Sequence, residues 1–504
     1  MLQIFPMRIP IYFFLMCFLM ACAGSSEEKN TKTESAKVKV DRYGLDSLMN
    51  PALAPFYHGV ASGDPLKDAV IIWTRLTPEY HGTYEIDWEM AKDSTFRDVV
   101  QQGKTNTDSS RDYTVKIDVR DLQSDTRYYY RFKSEGEISS VGKTKTLPDG
   151  KPKNVNLAFA SCSNYAWGYF NAYRRMAQDT LDAVVHLGDY IYEHEQNVYA
   201  SKALARHHLP NKEIISVSDY RTRYALYRLD PDLQAVHAAH PFIVIWDDHE
   251  ITNNTYATGA QNHQETEGDW STRLATAKKV YYEWMPIREH DGHHYRSFVF
   301  GDLLRLVMLD TRTDGRTIQP DVVNVNDLDS GKHIIHPDQM KWLEKELMAA
   351  EKWKVIGNQI LFSDMYIFFE PKPMLYTDGW SAYRYDQKRL MDVLAKQDKV
   401  VVVTGDFHSA FIWKGKSGKN NYLEFVVPSV TSANYDEDLG IDSAEVYRNY
   451  YLKKNSSLSF TDLVQHGYLL LHADSASISG QFVFMESILE KGNTKEKKSI
   501  RFGF

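Results

Sequence analysis

Four apolar runs in this chain each give way to side chains of the kinds that hold metal ions. Residues 156–160 lead into Ser161-Cys162-Ser163, and 181–186 into Leu187-Gly188-Asp189-Tyr190-Ile191-Tyr192. Residues 242–246 are followed by Asp247-Asp248-His249-Glu250, and 400–403 by Thr404-Gly405-Asp406-Phe407-His408. Oxygen donors favour hard cations such as Ca2+, Mg2+ or Fe3+. A thiolate with a phenolate and an imidazole suits iron, because anionic donors stabilise the ferric state. Asp189 opens a Gly-Asp-x-x-Tyr segment and is the natural bridge between two ions. Two cations a few ångströms apart would clamp both the attacking and the leaving oxygen of a displacement at phosphorus.

Such clusters need strands to carry them to one place. In α/β folds ligands bind beyond the carboxyl ends of the strands, where all four clusters would sit. The runs are short and apolar, as strands covered on both faces are, and 303–309, 354–360, 423–427 and 468–479 extend the pattern. Helical periodicity lies between some of them, at 168–179, 219–239 and 337–351, the last with proline in its first turn. This predicts a large α/β domain over 153–504.

Before it, 69–75, 84–91, 113–119 and 128–134 are β-rich segments separated by turn residues at sandwich-like spacing. The segment from Leu122 to Tyr128 resembles the tyrosine corner of a fibronectin-type module. Residues 55–150 are therefore expected to form a small fibronectin- or Ig-like β-sandwich. Residues 136–144 end in Gly142-Lys143-Thr144 and nearly spell a phosphate-binding P-loop. The spacer is one residue too long and no helical pattern follows, so they read as a turn.

Composition narrows the classes. With 59 Lys+Arg against 67 Asp+Glu the net charge is −8, a poor match to nucleic-acid binding through a basic surface. Hydrophobic residues at 43% and aromatics at 13% supply ample core material. The cysteines Cys17, Cys22 and Cys162 cannot build a disulfide framework. Arg8 precedes an apolar run, 9–20, that is too short to span a bilayer and stops at Ala21-Cys22. The arrangement resembles a bacterial lipoprotein signal: 1–21 would be removed, Cys22 acylated, and 22–54 would serve as a flexible tether. The expected location is the cell envelope, with a lipid anchor in the membrane, periplasmic or surface-exposed. Cys162 would then be the lone thiol of the folded part, and the four-cluster pattern favours a metal over an inert thiol.

The chain resembles the PhoD-type alkaline phosphatases, metal-dependent phosphomonoesterases and phosphodiesterases related to purple acid phosphatases. The resemblance rests on the four clusters and on several further segments. These are Gly59-Val60-Ala61-Ser62-Gly63-Asp64-Pro65, Trp73-Thr74-Arg75-Leu76, Asp219-Tyr220-Arg221, Leu309-Asp310-Thr311-Arg312 and Pro428-Ser429-Val430-Thr431-Ser432. It implies a metallophosphatase-type α/β sandwich in the large domain. It further implies Fe3+ held by Cys162, Asp189, Tyr192 and His408, with Asp189 bridging to Ca2+. Asp406 and one or more of Asp248, Asn253 and Asn254 would complete the calcium side. Asp247-Asp248-His249-Glu250 stands where metallophosphatases generally carry Gly-Asn-His-Glu, which makes His249 the general acid. A further histidine ligand of many metallophosphatases has no counterpart, and Asn358 or Gln359 occupies the stretch where it would fall. The implied activity is hydrolysis of phosphate monoesters at alkaline pH by a hydroxide that the cations activate. Small phosphate esters would be the substrates, with no nucleic-acid partner.

Several residues carry plainer readings. Arg312, with Asp310, is equally a phosphate clamp or a structural ion pair. His186, His237 and His240 read as structural, Tyr190 and Trp342 as packing, and the pairs His207-His208 and His293-His294 as solvated loops. No Gly-x-Ser-x-Gly elbow is present, consistent with the absence of a serine nucleophile. Two other functions compete: a phosphodiesterase acting on cell-envelope, phospholipid or nucleotide diesters, and a catalytically silent surface-binding lipoprotein.

Overall fold

Alternate residues of the strand Asn154–Ala160 enter two different cores. Val155, Leu157 and Phe159 point one way and Ala158 and Ala160 the other, the two-residue period of a pleated strand buried on both faces. The same holds for Val400–Thr404, where Val401 and Val403 face one core and Val400 and Val402 another. The computed structural model that reveals this describes residues 38–504 apart from 290–291, 324–325, 327 and 369–371. The leader 1–21 and Cys22 lie outside the described residues.

Two sheets share the middle core. One runs Glu496–Gly503, Ile478–Met485, Gly467–Asp474, Asn154–Ala160, Ala183–His186, Pro241–Val244, Val60–Gly63, Val70–Arg75, Thr114–Val119. The other runs Arg296–Phe300, Leu304–Met308, Trp353–Asn358, Val400–Thr404, Asn420–Val426, Ala410–Ser417, Leu458–Asp462. Leu157, Phe159, Val185 and Ile243 of the first pack with Leu306, Val355, Val403 and Phe425 of the second. Helices Asn171–Met176, Val217–Arg228, Pro231–Ala239 and Trp270–Trp284 cover the outside of the first sheet, and Pro337–Leu347 and Arg384–Leu394 that of the second. In each sheet the central strands are parallel. Their carboxyl ends therefore open on one rim of the sandwich.

The N-terminal region is a two-layer β-structure, but one layer is not its own. Val60–Gly63 pairs in parallel with Pro241–Val244, so Val60–Gly63, Val70–Arg75 and Thr114–Val119 continue the first large sheet. A five-stranded sheet around Tyr84–Ala91 and Arg127–Ser134 lies over them, with Ile72, Val115, Ile86, Tyr130 and Phe132 in a common core. The tyrosine corner is present: the Tyr128 hydroxyl accepts the Gln123 backbone N–H at 2.9 Å. Gly142–Lys145 is a strand of this sheet rather than a turn, paired with Arg127–Ser134.

Local sequence accounts for the other differences. The pattern 219–239 is two helices, because Asp230 caps the second and Pro231, which has no N–H to give to the preceding turn, starts it. The run 468–479 spans a hairpin, Gly467–Asp474 with Ile478–Met485. Residues 39–54 are packed rather than a tether: Leu45 and Met49 are buried in the first-sheet core, and the Tyr43 hydroxyl donates to Asp112 at 2.6 Å. His208 is buried and lies parallel to the Tyr227 ring, and His294 stacks on Trp246 at 3.6 Å, so neither belongs to a solvated loop. Their neighbours His207 and His293 are exposed as expected.

Candidate metal centre

At the rim the chain leaves three of the four strands in a conformation that side chains resist. Cys162, Asp189, Asp406 and His408 all have left-handed φ, between 56° and 61°. Such non-glycine residues cost about 1–3 kcal/mol each and persist where the surroundings over-determine them. Here the loops hold one another. Cys162 N–H donates to Gly188 O at 3.2 Å and Ser163 N–H to Asp189 O at 2.9 Å. Ser432 clamps Cys162 O through both its N–H and its hydroxyl. Glu250 accepts the backbone N–H groups of Asp189, Tyr190 and Asp247, tying two strand ends together. Gly188, at φ +111°, lets these turns meet, since a Cβ there would sit 2.3 Å from that of Asp247.

The outcome is convergence of residues more than two hundred positions apart. Ligand atoms of Cys162, Asp189 and His408 lie within 4.8 Å of one another, and so do those of Asp189, Asp248 and His249 and of Asp247, Asp248 and Asp406. Asp189 belongs to the first two sets and Asp248 to the last two, so the sets form a continuous cluster. The Tyr192 hydroxyl donates to Asp189 Oδ2 at 2.9 Å and lies 3.3 Å from His408 Nε2. His408 Nδ1 is engaged by Tyr199 and by Ala433 O at 3.2 Å, which directs Nε2 towards Cys162 and Asp189.

The residues fit bound cations. Asp189 Oδ1, Asp247 Oδ2 and Asp248 Oδ1 are buried acceptors with no donor, each a cost of about 1–3 kcal/mol unless an ion takes it up. Burial and then Asp189 push the Cys162 thiol well above its ordinary range, and burial with the neighbouring acids does the same to Asp247 and Asp406. Asp248 is raised for the same reasons. Burial would raise Asp189 too, but His249, His408 and the Tyr192 hydroxyl hold it at about 2. Cys162, Tyr192, Asp189 and His408 offer the sulfur, phenol, carboxylate and imidazole that suit iron. Asp247, Asp248 and Asp406 offer the hard oxygens that suit calcium.

His249 stands at the junction of the two. Its Nδ1 lies 2.6 Å from a buried oxygen of Glu193, and its ring packs on Tyr192 at 4.3 Å. Burial lowers its pKa, but Glu193, Asp248 and Asp189 overcome that and hold it well above the ordinary imidazole range. Glu193 is itself fixed by Asn253 N–H at 2.8 Å and Thr252 Oγ1 at 3.2 Å.

Some candidates stand elsewhere. The Asn253 side chain turns to Gln261 at 3.3 Å instead of the carboxylates, and its neighbour Asn254 supports Asp248 through a backbone N–H at 2.6 Å. Asn358 and Gln359 are consumed by Trp380, Thr311 and backbone carbonyls. Arg312 is wholly buried, bound to Asp247, at 3.2 Å to Asp378 and at 2.8 Å to Asp406. Asp310 instead caps the turn at Thr313. His186 meets Tyr173 at 2.9 Å, and burial drops its pKa to about 3, as suits a structural imidazole. His237 takes the Tyr190 hydroxyl at 2.8 Å, and His240 lies 3.2 Å from Met176 O. Sequence reading missed Glu193 and Asp378. Glu193 directly follows Tyr192 and could have been found there; Asp378 lies in a stretch with no strand pattern.

Residues 157–482 match a family model described as PhoD-like phosphatase, and 44–148 match the one described as its N-terminal domain. Alkaline phosphatase D of Bacillus subtilis (strain 168) is 35% identical over 453 residues, which is 84% of this chain and 76% of that protein. A solved structure of PhoD superposes with a TM-score of 0.81 at 33% identity, covering 90% of this chain and 91% of that one.

Proposed function

The chain belongs to the PhoD-like phosphatase family, and on that premise we propose that it hydrolyses phosphate monoesters at alkaline pH with an Fe3+ and a Ca2+ ion. The observation that carries this reading is Asp189, which lies in one set with Cys162 and His408, beside the Tyr192 hydroxyl, and in another with Asp248 and His249. Cys162, Asp189, Tyr192 and His408 would hold iron; Asp189, Asp248 and Asp406, with Asp247, would hold calcium. Bound there, the cations would lower the pKa of water and neutralise charge on the phosphoryl oxygens.

The protein's own part is positioning and proton supply. Glu193 fixes Nδ1 of His249, which leaves Nε2 to deliver a proton to the departing alkoxide. The surrounding carboxylates favour the protonated ring and hold its pKa above the ordinary imidazole range. Asp406 and His408 are only partly buried while Cys162, Asp189 and Asp248 are fully so, and an ester would approach from the Asp406–His408 side. Export is part of the proposal: Cys22, acylated after removal of 1–21, would anchor the enzyme in the cell envelope.

Purified from its own host, the protein should release nitrophenol from p-nitrophenyl phosphate at alkaline pH. It should lose that activity on removal of iron and calcium and regain it when both return. Full activity after stripping would overturn the reading.

A further inference from the structure

A cavity of about 370 Å3 is lined by Asn254, whose backbone N–H bonds Asp248, and by Thr377, next to Asp378. It is framed by the hairpin of Thr255–Tyr256 with Gly259–Ala260 and by the segment after Arg316, joined where Ala257 N–H donates to Arg316 O at 3.0 Å. Two of its walls are continuous with the centre. Asn254, in one wall, donates its N–H to Asp248 at 2.6 Å, and Thr377, in the other, precedes Asp378, which holds Arg312. The cavity is thus tied to the cluster through both walls.

The chemistry of the lining is specific. Tyr256, Ile318 and Pro320 give it an apolar face, and Ile318 is 67% exposed, a large aliphatic side chain left in water beside the site. Gln261, Gln319 and Thr377 supply neutral polar edges, with Gln319 fixed by Thr377 at 3.0 Å and by Arg316 at 3.3 Å. Among the described residues the one charged group in the lining is Asp321. The nearest guanidinium, Arg316, is buried behind Gln319 and paired with Asp378 at 2.6 Å.

We propose that this cavity receives the leaving group of the ester and selects uncharged leaving groups with an apolar face over leaving groups that end in a further phosphate. The inference rests on the phosphatase reading and deepens it. An aryl or alkyl alcohol would bury apolar surface against Tyr256, Ile318 and Pro320. A second phosphate would face Asp321 and the cluster carboxylates with no free cation among the lining residues to receive it.

The metal-loaded enzyme tests this with two monoester substrates compared by kcat/KM, 1-naphthyl phosphate and fructose 1,6-bisphosphate, whose leaving group ends in a further phosphate. Wild type should favour the naphthyl ester. Asp321→Lys should shift the ratio towards the bisphosphate by about tenfold, the reversal of one exposed charge. Ile318→Ser should lower kcat/KM for the naphthyl ester and weaken product inhibition by 1-naphthol, with turnover of the bisphosphate little changed. Equal turnover of both esters, or a ratio unmoved by both substitutions, overturns the inference while leaving the phosphatase reading intact. Hydrolysis of neither ester overturns both.

Discussion

Around Cys162, Asp189, Tyr192 and His408 no lysine or arginine among the described residues pairs with the donors; the one ion pair there is Asp189 with His408 at 4.0 Å. Across Asp248, by contrast, Asp247, Asp378 and Asp406 gather on the Arg312 guanidinium, which lies 3.8 Å from Asp248 itself, and Asp378 also pairs with Arg316. One half of the centre leaves its compensation to a bound ion. The other carries part of its compensation in the chain, as a cation that folds with it. The difference matters because a buried charge is tolerated only when paired, and the two halves obtain their partners by different routes. Metal loading should therefore stabilise the Cys162 half most, while the Arg312 half keeps part of its compensation without metal.

The largest expected effect lies at the seam. His249→Ala should lower turnover by about 10²–10⁴-fold with iron and calcium content unchanged, measured by steady-state kinetics and elemental analysis. Parallel loss of metal would make His249 a ligand and move the boundary between the halves. Next, Arg312→Met leaves buried carboxylates unpaired and should cost the metal-free protein about 3–5 kcal/mol in denaturant unfolding. Cys162→Ser should cost that apoprotein about 1.5 kcal/mol or less, since it removes no charge, while weakening and shifting the visible absorption of the iron-loaded form, with the Tyr192 phenolate band remaining. Equal costs for the two would erase the contrast. The smallest effect is expected at Glu193→Gln, about tenfold in turnover, with a shift in pH profile. Glu193 helps raise the His249 pKa, and the reaction needs His249 protonated, so activity is lost as pH rises through that value. Removing the charge lowers the pKa, and the alkaline limb should move to lower pH; an unmoved limb would exclude His249 as the titrating acid.

Strand positions were legible because the central strands are buried on both faces and read as uninterrupted apolar runs, as in 400–403. Tyr84–Ala91 was legible to the residue from its alternation. The break at Asp230-Pro231 was missed although both residues signal it, because the hydrophobic period carries on through the turn. The exposure of His208 and His294 was misjudged because their partners, Tyr227 and Trp246, lie far from them in sequence. Arg312 was left between two roles for the same reason: its partners Asp247, Asp378 and Asp406 are scattered over 160 positions of chain.

The identity of the donors was written in the sequence. A thiol, a phenol, carboxylates and imidazoles stood just past apolar runs, and strand physics requires such runs to end at a common rim. Tertiary structure alone decided which of them meet. It turned Asn253 aside to Gln261, gave Arg312 to the carboxylates, set Glu193 behind His249, and made the first layer of the N-terminal sandwich part of the catalytic sheet. The reason is that donor type is a property of one residue, whereas a 4.8 Å meeting of atoms depends on left-handed turns, loop-to-loop hydrogen bonds and sheet pairing that no local pattern records.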